Sequence, residues 1–275
     1  MKKPKRQTRP SRSAGERRPC TSPPHPLIAS ATSRVRDQRS AISDQQSRTT
    51  HRSPLTVLYE DNHCLAVLKP AGLLTAGDKT GDVSLLELAR QYIKEKYRKR
   101  GNVFLGVVHR LDRPVSGVVL FARTSKAAAR LSEQFRAGRV TKVYHAWVEG
   151  TPKQAEGEMS DLLVKDPQRN VVRTVPEGTG GQRALLEYRV LKRTATRTLL
   201  EIRPRTGRGH QIRVQLAARG LPIVGDVKYG ARHHLSRRIA LHAAELTFEH
   251  PVRHEPVTVH APHPAEWNPH FPLPY

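Results

Sequence analysis

The apolar positions of this chain follow two rhythms. In SLLELARQYIKEKYRKRG, residues 84–101, Leu85, Leu88, Ala89, Tyr92 and Ile93 share one face at helical spacing, Ser84 and Glu87 have the spacing of a capping box, and Gly101 supplies a stop. A second helix is predicted in SKAAARLSEQFRAG, capped by Ser125 and ended by Gly138, with Ala128, Leu131 and Phe135 on one side. A third is predicted in HQIRVQLAARGLP, ended by Gly220 with Pro222 just beyond.

The other rhythm is short, β-branched and often alternating. TVLYE, CLAVLKP, NVFLGVVH, GVVLFAR, KVYHAWVEG, ALLEYRVLKR, TLLEIRP, IALHAAELTF and VTVHAP read as strands. Nine strands and three helices in this order do not alternate as a doubly wound sheet requires. The pattern therefore predicts an α+β fold, a mixed and mainly antiparallel sheet with helices packed against it.

Residues 1–53 show neither rhythm. Rich in Arg, Ser, Thr, Gln and Pro, they lack the apolar surface that offsets the entropy of ordering, so the sequence predicts a disordered basic tail before a folded region spanning 54–275. The tail is read as a dispensable extension, an RNA-binding arm or an organelle-targeting segment; it lacks the apolar core of a secretory signal.

Composition narrows the partners. The chain of 275 residues holds 48 Lys and Arg against 24 Asp and Glu, a formal charge of +24. The tail holds 13 basic and 3 acidic residues, leaving 35 and 21 for the remainder, so both parts are basic. Such an excess points to a polyanion, since cations on nucleic acid gain affinity by releasing counterions. Aromatics make up only 5% of residues, which argues for gripping the backbone of a folded RNA over stacking on single strands. No apolar run approaches the ~18 residues that span a bilayer. Two cysteines, Cys20 and Cys64, give no disulfide framework, and His233 and His234 lack further ligands at helical spacing, so no metal is expected.

Candidate chemistry lies in GVVHRLDRPVSGVVLF, residues 106–121, where one acid, Asp112, stands among His109, Arg110 and Arg113. Cationic neighbours favour the anionic form of such a group, which suits a nucleophile or electrostatic stabiliser better than a proton donor. A structural ion pair closing a turn is the plainer reading. The stretch LEIRPRTGRGHQIRVQLAARG, residues 200–220, reads as strand, basic glycine-bearing loop and helix. Arg205, Arg208 and the amides opening the helix are a candidate phosphate seat. His210 and Arg213, three apart, share a helical face, Ile212 begins an apolar stripe beside them, and Arg213 is placed to pair with a buried carboxylate.

VVHRLDRPVSGVVLFART resembles the signature of the RluA-type pseudouridine synthases, RNA uridine isomerases acting on ribosomal or transfer RNA. KPAGLL (69–74), KVYHAWVEG (142–150), RTGRGHQIRVQLAARGLPIVGDVKYG (205–230) and LHAAELTFEHP (241–251) follow in that family's order, and the likeness runs from Leu55 to the C-terminus. Val115 stands where Thr is usual and Gln215 where His is frequent, and the small RNA-binding domain that precedes some relatives is not evident. The resemblance implies the family's fold around a central basic cleft. It implies that Asp112 is the catalytic aspartate, that Tyr144 packs against the target base and is a candidate for proton removal, that Arg213 pairs with Asp112, and that Arg110 occupies the space left by a flipped uridine. His109, Arg208, His210 and Ile212 complete the candidate substrate contacts.

The implied reaction breaks the bond between ribose C1′ and uracil N1 and rejoins the base through C5. It needs no cofactor, and the sequence leaves open whether the carboxylate attacks ribose, attacks base or assists loss of a ribose proton. The expected partner is structured RNA, with no membrane and no nucleotide cofactor; a monomer in the cytoplasm is the expected state. The competing readings are a catalytically silent RNA-binding or ribosome-assembly factor on the same fold, and a glycosidase-like hydrolase, which needs a second acid across the bond.

Overall fold

In the computed structural model the described residues are 55–265 apart from residue 79, together with Trp267. The predicted tail over residues 1–53 lies outside them. The described chain builds β1 (Val57–Glu60), β2 (Cys64–Lys69), α1 (Leu85–Lys96), β3 (Gly106–Val107), β4 (Ser116–Ala122), α2 (Ser125–Arg136), β5 (Thr141–Glu149), β6 (Glu156–Asp166), β7 (Val171–Val175), β8 (Gln182–Arg193), β9 (Arg197–Pro204), α3 (Gln211–Ala217), β10 (Leu241–Glu249) and β11 (Pro256–His260). A 3-10 turn, Val227–Tyr229, follows α3.

All strands join one sheet in the order β1-β2-β4-β10-β5-β9-β8-β6-β7, with β3 also on β4 and β11 also on β10. One seam is parallel, β4 on β10, and the remaining pairs are antiparallel. The fold is therefore the α+β, mainly antiparallel architecture the pattern predicts.

Alternation along the central strands sends side chains to two cores. Leu65, Val67, Val119 and Phe121 meet Leu85, Ala89 and Ile93 of α1 and Ile212 and Leu216 of α3 on one face. Cys64, Ala66, Val118 and Leu120 meet Ala127 and Leu131 of α2 on the other. Covered on both sides, β4 is buried at every position, which is why its sequence is a continuous apolar run.

At the parallel seam Gly117 lies opposite Ala243 with a φ of 125°, and a Cβ there would meet the Ala243 carbonyl oxygen at 2.3 Å. Only glycine fits, and the seam sets where the chain leaves the sheet between β3 and β4.

Boundaries differ from the sequence reading at four places. The Ser84–Glu87 capping box forms, but α1 stops at Lys96 and Arg98 takes a left-handed φ of 47°, short of Gly101. Thr124, and not Ser125, caps α2 by accepting from the Ala127 amide. Of NVFLGVVH only Gly106–Val107 is strand, since Val108 onward turns away to carry Asp112. β6 and β7 are additional strands at the sheet edge. In β6 the charged residues Glu156, Glu158, Asp161, Lys165 and Asp166 outnumber its buried ones, so the apolar pattern is faint.

Candidate active site

Asp112 sits on the loop between β3 and β4, and that loop is laced to the segment after β2. Lys69, fully buried, donates from Nζ to the carbonyls of Pro70 (3.1 Å), Arg113 (3.1 Å) and Val115 (2.6 Å). Thr75 Oγ1 donates to the Leu111 carbonyl at 3.0 Å and accepts from the Leu111 amide at 3.2 Å, and the Gly72 amide donates to the Arg113 carbonyl at 2.8 Å. KPAGLL and the Asp112 motif are thus two halves of one platform. Arg113 belongs to it as well, donating to the Gly72 carbonyl and pairing with Asp82.

Arg213 reaches across from α3. Its Nη1 donates to Asp112 Oδ2 at 2.9 Å, while Nε and Nη2 hold Asp226 Oδ2 and Oδ1 at 2.7 and 2.8 Å. The Asp226 side chain is 1% exposed and that of Arg213 6%, whereas Asp112 keeps 29% open to the cleft. The buried partner expected for Arg213 is therefore Asp226, and Asp112 is the open one. The bidentate clamp fixes the guanidinium plane, and the Tyr229 ring lies beneath it at 4.9 Å.

His210, before α3, has a left-handed φ of 54° and places Nε2 3.7 Å from Asp112 Oδ2 and Nδ1 2.7 Å from the Tyr229 hydroxyl. Burial, ahead of the neighbouring charges, holds its pKa below the usual histidine value. Tyr144 on β5 has its pKa raised, first by burial and then by the Asp112 charge, so its phenol is protonated at neutral pH.

All candidates named from the sequence line one cleft of about 1090 Å³ between the Asp112 loop, β5 and the loop before α3. They do not all face it alike. His109 accepts the Leu120 amide at Nε2 (2.9 Å) and stacks on Phe135 at 4.6 Å, and burial pulls its pKa down to about 3, so it braces the loop as a neutral ring. Arg110 is exposed and has no hydrogen bond or ion pair among the described residues. Ile212 is 7% exposed, an apolar wall.

The phosphate seat before α3 is only partly as expected. Gln211 Oε1 accepts from the Arg208 amide and the Thr206 hydroxyl, which takes one of the amides expected to be free. Arg205 is bound in a two-pronged pair to Glu187. Arg208 donates to the Arg183 carbonyl and still lines the cleft, where Lys142, its pKa lowered by burial, stands two residues from Tyr144 on β5.

Ligand atoms of metal-binding type also meet away from the cleft, at Asp61, Cys64 and His250. The Asp61 carboxylate accepts from the amides of His63 and Cys64, the Tyr59 hydroxyl and His250 Nε2, while His250 Nδ1 accepts from the amides of Val252 and Arg253. Burial pushes the Cys64 thiol up to about 12. With those lone pairs engaged and the thiol protonated, the cluster is a hydrogen-bonded brace between β1, β2 and the turn after β10.

Comparison with known proteins gives this arrangement its context. The family model described as RNA pseudouridylate synthase matches residues 63–218, which carry Asp112, Tyr144 and Arg213. The chain belongs to the RNA pseudouridylate synthase family. Among the synthases it is 34% identical to "Uncharacterized RNA pseudouridine synthase YhcT" of Bacillus subtilis, across 82% of this chain and 74% of that one. It is 32% identical to "Ribosomal large subunit pseudouridine synthase C" of Vibrio vulnificus, across 86% and 74%, and 37% identical to that organism's "Dual-specificity RNA pseudouridine synthase RluA", across 72% and 79%. The fold matches the solved structure of "Human RNA Pseudouridylate Synthase Domain Containing 1" with a TM-score of 0.63 at 25% identity, covering 76% of this chain and 84% of that one.

Reading the sequence of this synthase alone missed Asp226, Tyr229, Lys69 and Lys142 as parts of the site. Asp226 and Tyr229 stand in the quoted run ending VGDVKYG, where an acid after Gly225 reads as an ordinary turn. Their signal was the motif itself, which extends well past the helix that carries Arg213.

Proposed function

We propose that this synthase isomerises uridines of structured ribosomal or transfer RNA to pseudouridine, with Asp112 as the catalytic carboxylate. The observation that carries the reading is an acid open to a basic cleft on one side and held on the other by a buried guanidinium that is itself clamped by a second, buried acid. The catalytic domain in this reading is residues 54–275, working in the cytoplasm as a monomer and without a cofactor.

The bond from ribose C1′ to N1 breaks and a bond from C1′ to C5 forms, while C5 loses a proton and N1 gains one. A uridine taken from its stack costs a few kcal/mol, offset by phosphate contacts and by Arg110 entering the vacated space. The Tyr144 ring packs on the turned-out base, Ile212 closes the apolar side, and Arg208 faces the flanking phosphates. Because Tyr144 enters as a protonated phenol, it is not a ready base for the first step. Exclusion of water protects the broken glycosidic bond from hydrolysis. Asp226 does not make the site a glycosidase pair, because its carboxylate is spent on Arg213.

The test is Asp112→Asn, which keeps shape and removes charge. Pseudouridine mapped chemically in ribosomal and transfer RNA treated with the pure variant is expected to vanish, while RNA binding stays within about twofold, less than the weight of one ordinary hydrogen bond. Wild-type turnover in the variant would refute the role of Asp112. RNA binding by the wild type without any pseudouridine would leave a binding factor on this fold.

A further inference from the structure

The reading of Asp112 as the catalytic carboxylate leaves open which of its oxygens reacts and what keeps it aimed. Arg213 Nη1 and His210 Nε2 both address Oδ2, at 2.9 and 3.7 Å. Oδ1 has no hydrogen bond among the described residues.

The state of His210 follows from its other nitrogen. Tyr229 Oη accepts the Val172 amide of β7 at 3.0 Å and lies 2.7 Å from His210 Nδ1. A phenol carries one proton, and among the described residues His210 Nδ1 is the acceptor within reach of it. The hydroxyl therefore donates to Nδ1, which leaves the imidazole proton on Nε2, toward Asp112. The groups facing His210 are Asp112, Arg213, Lys228, Asp226 and Tyr229, and burial outweighs their charges in holding the ring neutral.

We propose that Tyr229 is a positioning residue for the isomerisation: it accepts from the Val172 amide, donates a hydrogen bond to His210 Nδ1, and so turns the Nε2–H toward Asp112 Oδ2, 3.7 Å away on the side that Arg213 holds, leaving Oδ1 as the oxygen that meets the nucleotide. Tyr229 touches no substrate in this scheme. It acts through His210, and it ties the catalytic carboxylate to the β6–β7 hairpin, whose Lys165 and Asn170 line the same cleft. The left-handed backbone of His210 fits the same purpose, because it turns the ring back over α3 toward Asp112 in a conformation that histidine tolerates better than most residues.

The experiment uses full-length protein and a ribosomal or transfer RNA transcript that the wild type modifies, tritiated at uridine C5, in single-turnover assays of tritium release. Tyr229→Phe is expected to lower the rate about tenfold, the weight of one ordinary hydrogen bond, with RNA affinity changed less than twofold. His210→Asn, which suits the left-handed backbone and lacks the Nε2 donor, is expected to lose a similar factor. The double variant is expected to be no slower than His210→Asn alone, because the tautomer that Tyr229 sets is gone. Losses that multiply, or a Tyr229→Phe rate within twofold of wild type, would overturn the proposal. The nitrogen-15 imidazole spectrum of the wild type needs no variant: an unprotonated Nδ1 on His210 supports the assignment and a protonated one overturns it. Asp112→Asn runs alongside as a control. If it turns over normally the reading of Asp112 fails, whereas an inactive Asp112→Asn beside an unaffected Tyr229→Phe sinks the positioning role alone.

Discussion

Arg213 serves two acids that differ in burial, and its substitution should show both roles. Arg213→Ala strands Asp226 in the interior, which costs roughly 3–5 kcal/mol, so both turnover and the unfolding midpoint in urea are expected to fall. Asp226→Asn is the finer probe. It keeps the volume but loosens the clamp, and a guanidinium displaced by a fraction of an ångström is expected to lower turnover between about ten- and a hundredfold with RNA affinity kept. Single-turnover rates with a filter-binding control check this, and an unchanged rate would mean that Asp112 needs no clamped partner. At this scale the sequence showed Asp112 and the helical face carrying Arg213, because both stand in motifs of distinctive charge. It hid Asp226 and Tyr229, because a turn 13 residues along from Arg213 brings an acid back beneath it, and no local period records that return.

Among elements, the parallel seam of β4 on β10 is the most demanding contact. Gly117→Ala would force a methyl into the Ala243 backbone at a φ that side chains rarely adopt, and the expected loss is about 3 kcal/mol or more, hence roughly 6–12 °C in Tm for a domain of this size. Calorimetry decides it; a Tm within a degree or two of wild type would mean the seam shifts easily. The central strands were legible because burial on both faces writes itself as an unbroken apolar run. The edge hairpin of β6 and β7 was not, since only Met159, Leu163 and Val172 along it are buried and its strand character comes from backbone pairing with β8. Its place in the fold matters to the site all the same, through Val172.

Over the whole molecule, charge and buried imidazoles set the response to solution conditions. Six cleft cations, Arg110, Arg136, Lys142, Lys165, Arg208 and Lys228, have no carboxylate pair among the described residues. If each meets a phosphate, the logarithm of RNA affinity is expected to fall against the logarithm of salt with a slope of roughly −4 to −5, measurable by titration between 50 and 200 mM salt. Acid should weaken the fold. Burial pulls His109 and His242 to about 3 and His145 to about 4, whereas the unfolded residues take up a proton near 6.5. Below that value the unfolded chain binds more protons than the native one, so stability present at neutral pH is lost as pH falls toward 4. With up to about 2 kcal/mol from each ring, a fall of at least roughly 4–8 °C in Tm is expected between pH 7 and pH 5, and a flat Tm would place these rings in contact with solvent. Basic composition pointed to a polyanionic partner. It could not foretell the imidazole cluster of His145, His242 and His263, which assembles only when β5, β10 and the segment after β11 lie side by side.

The platform under Asp112 joins residues 36 to 46 positions apart, tying the loop to the end of β2 through Lys69 and to the segment before α1 through Thr75. A loop moored in this way has no independent local opening: its amides, that of Leu111 above all, should exchange with deuterium only as fast as the whole domain comes apart.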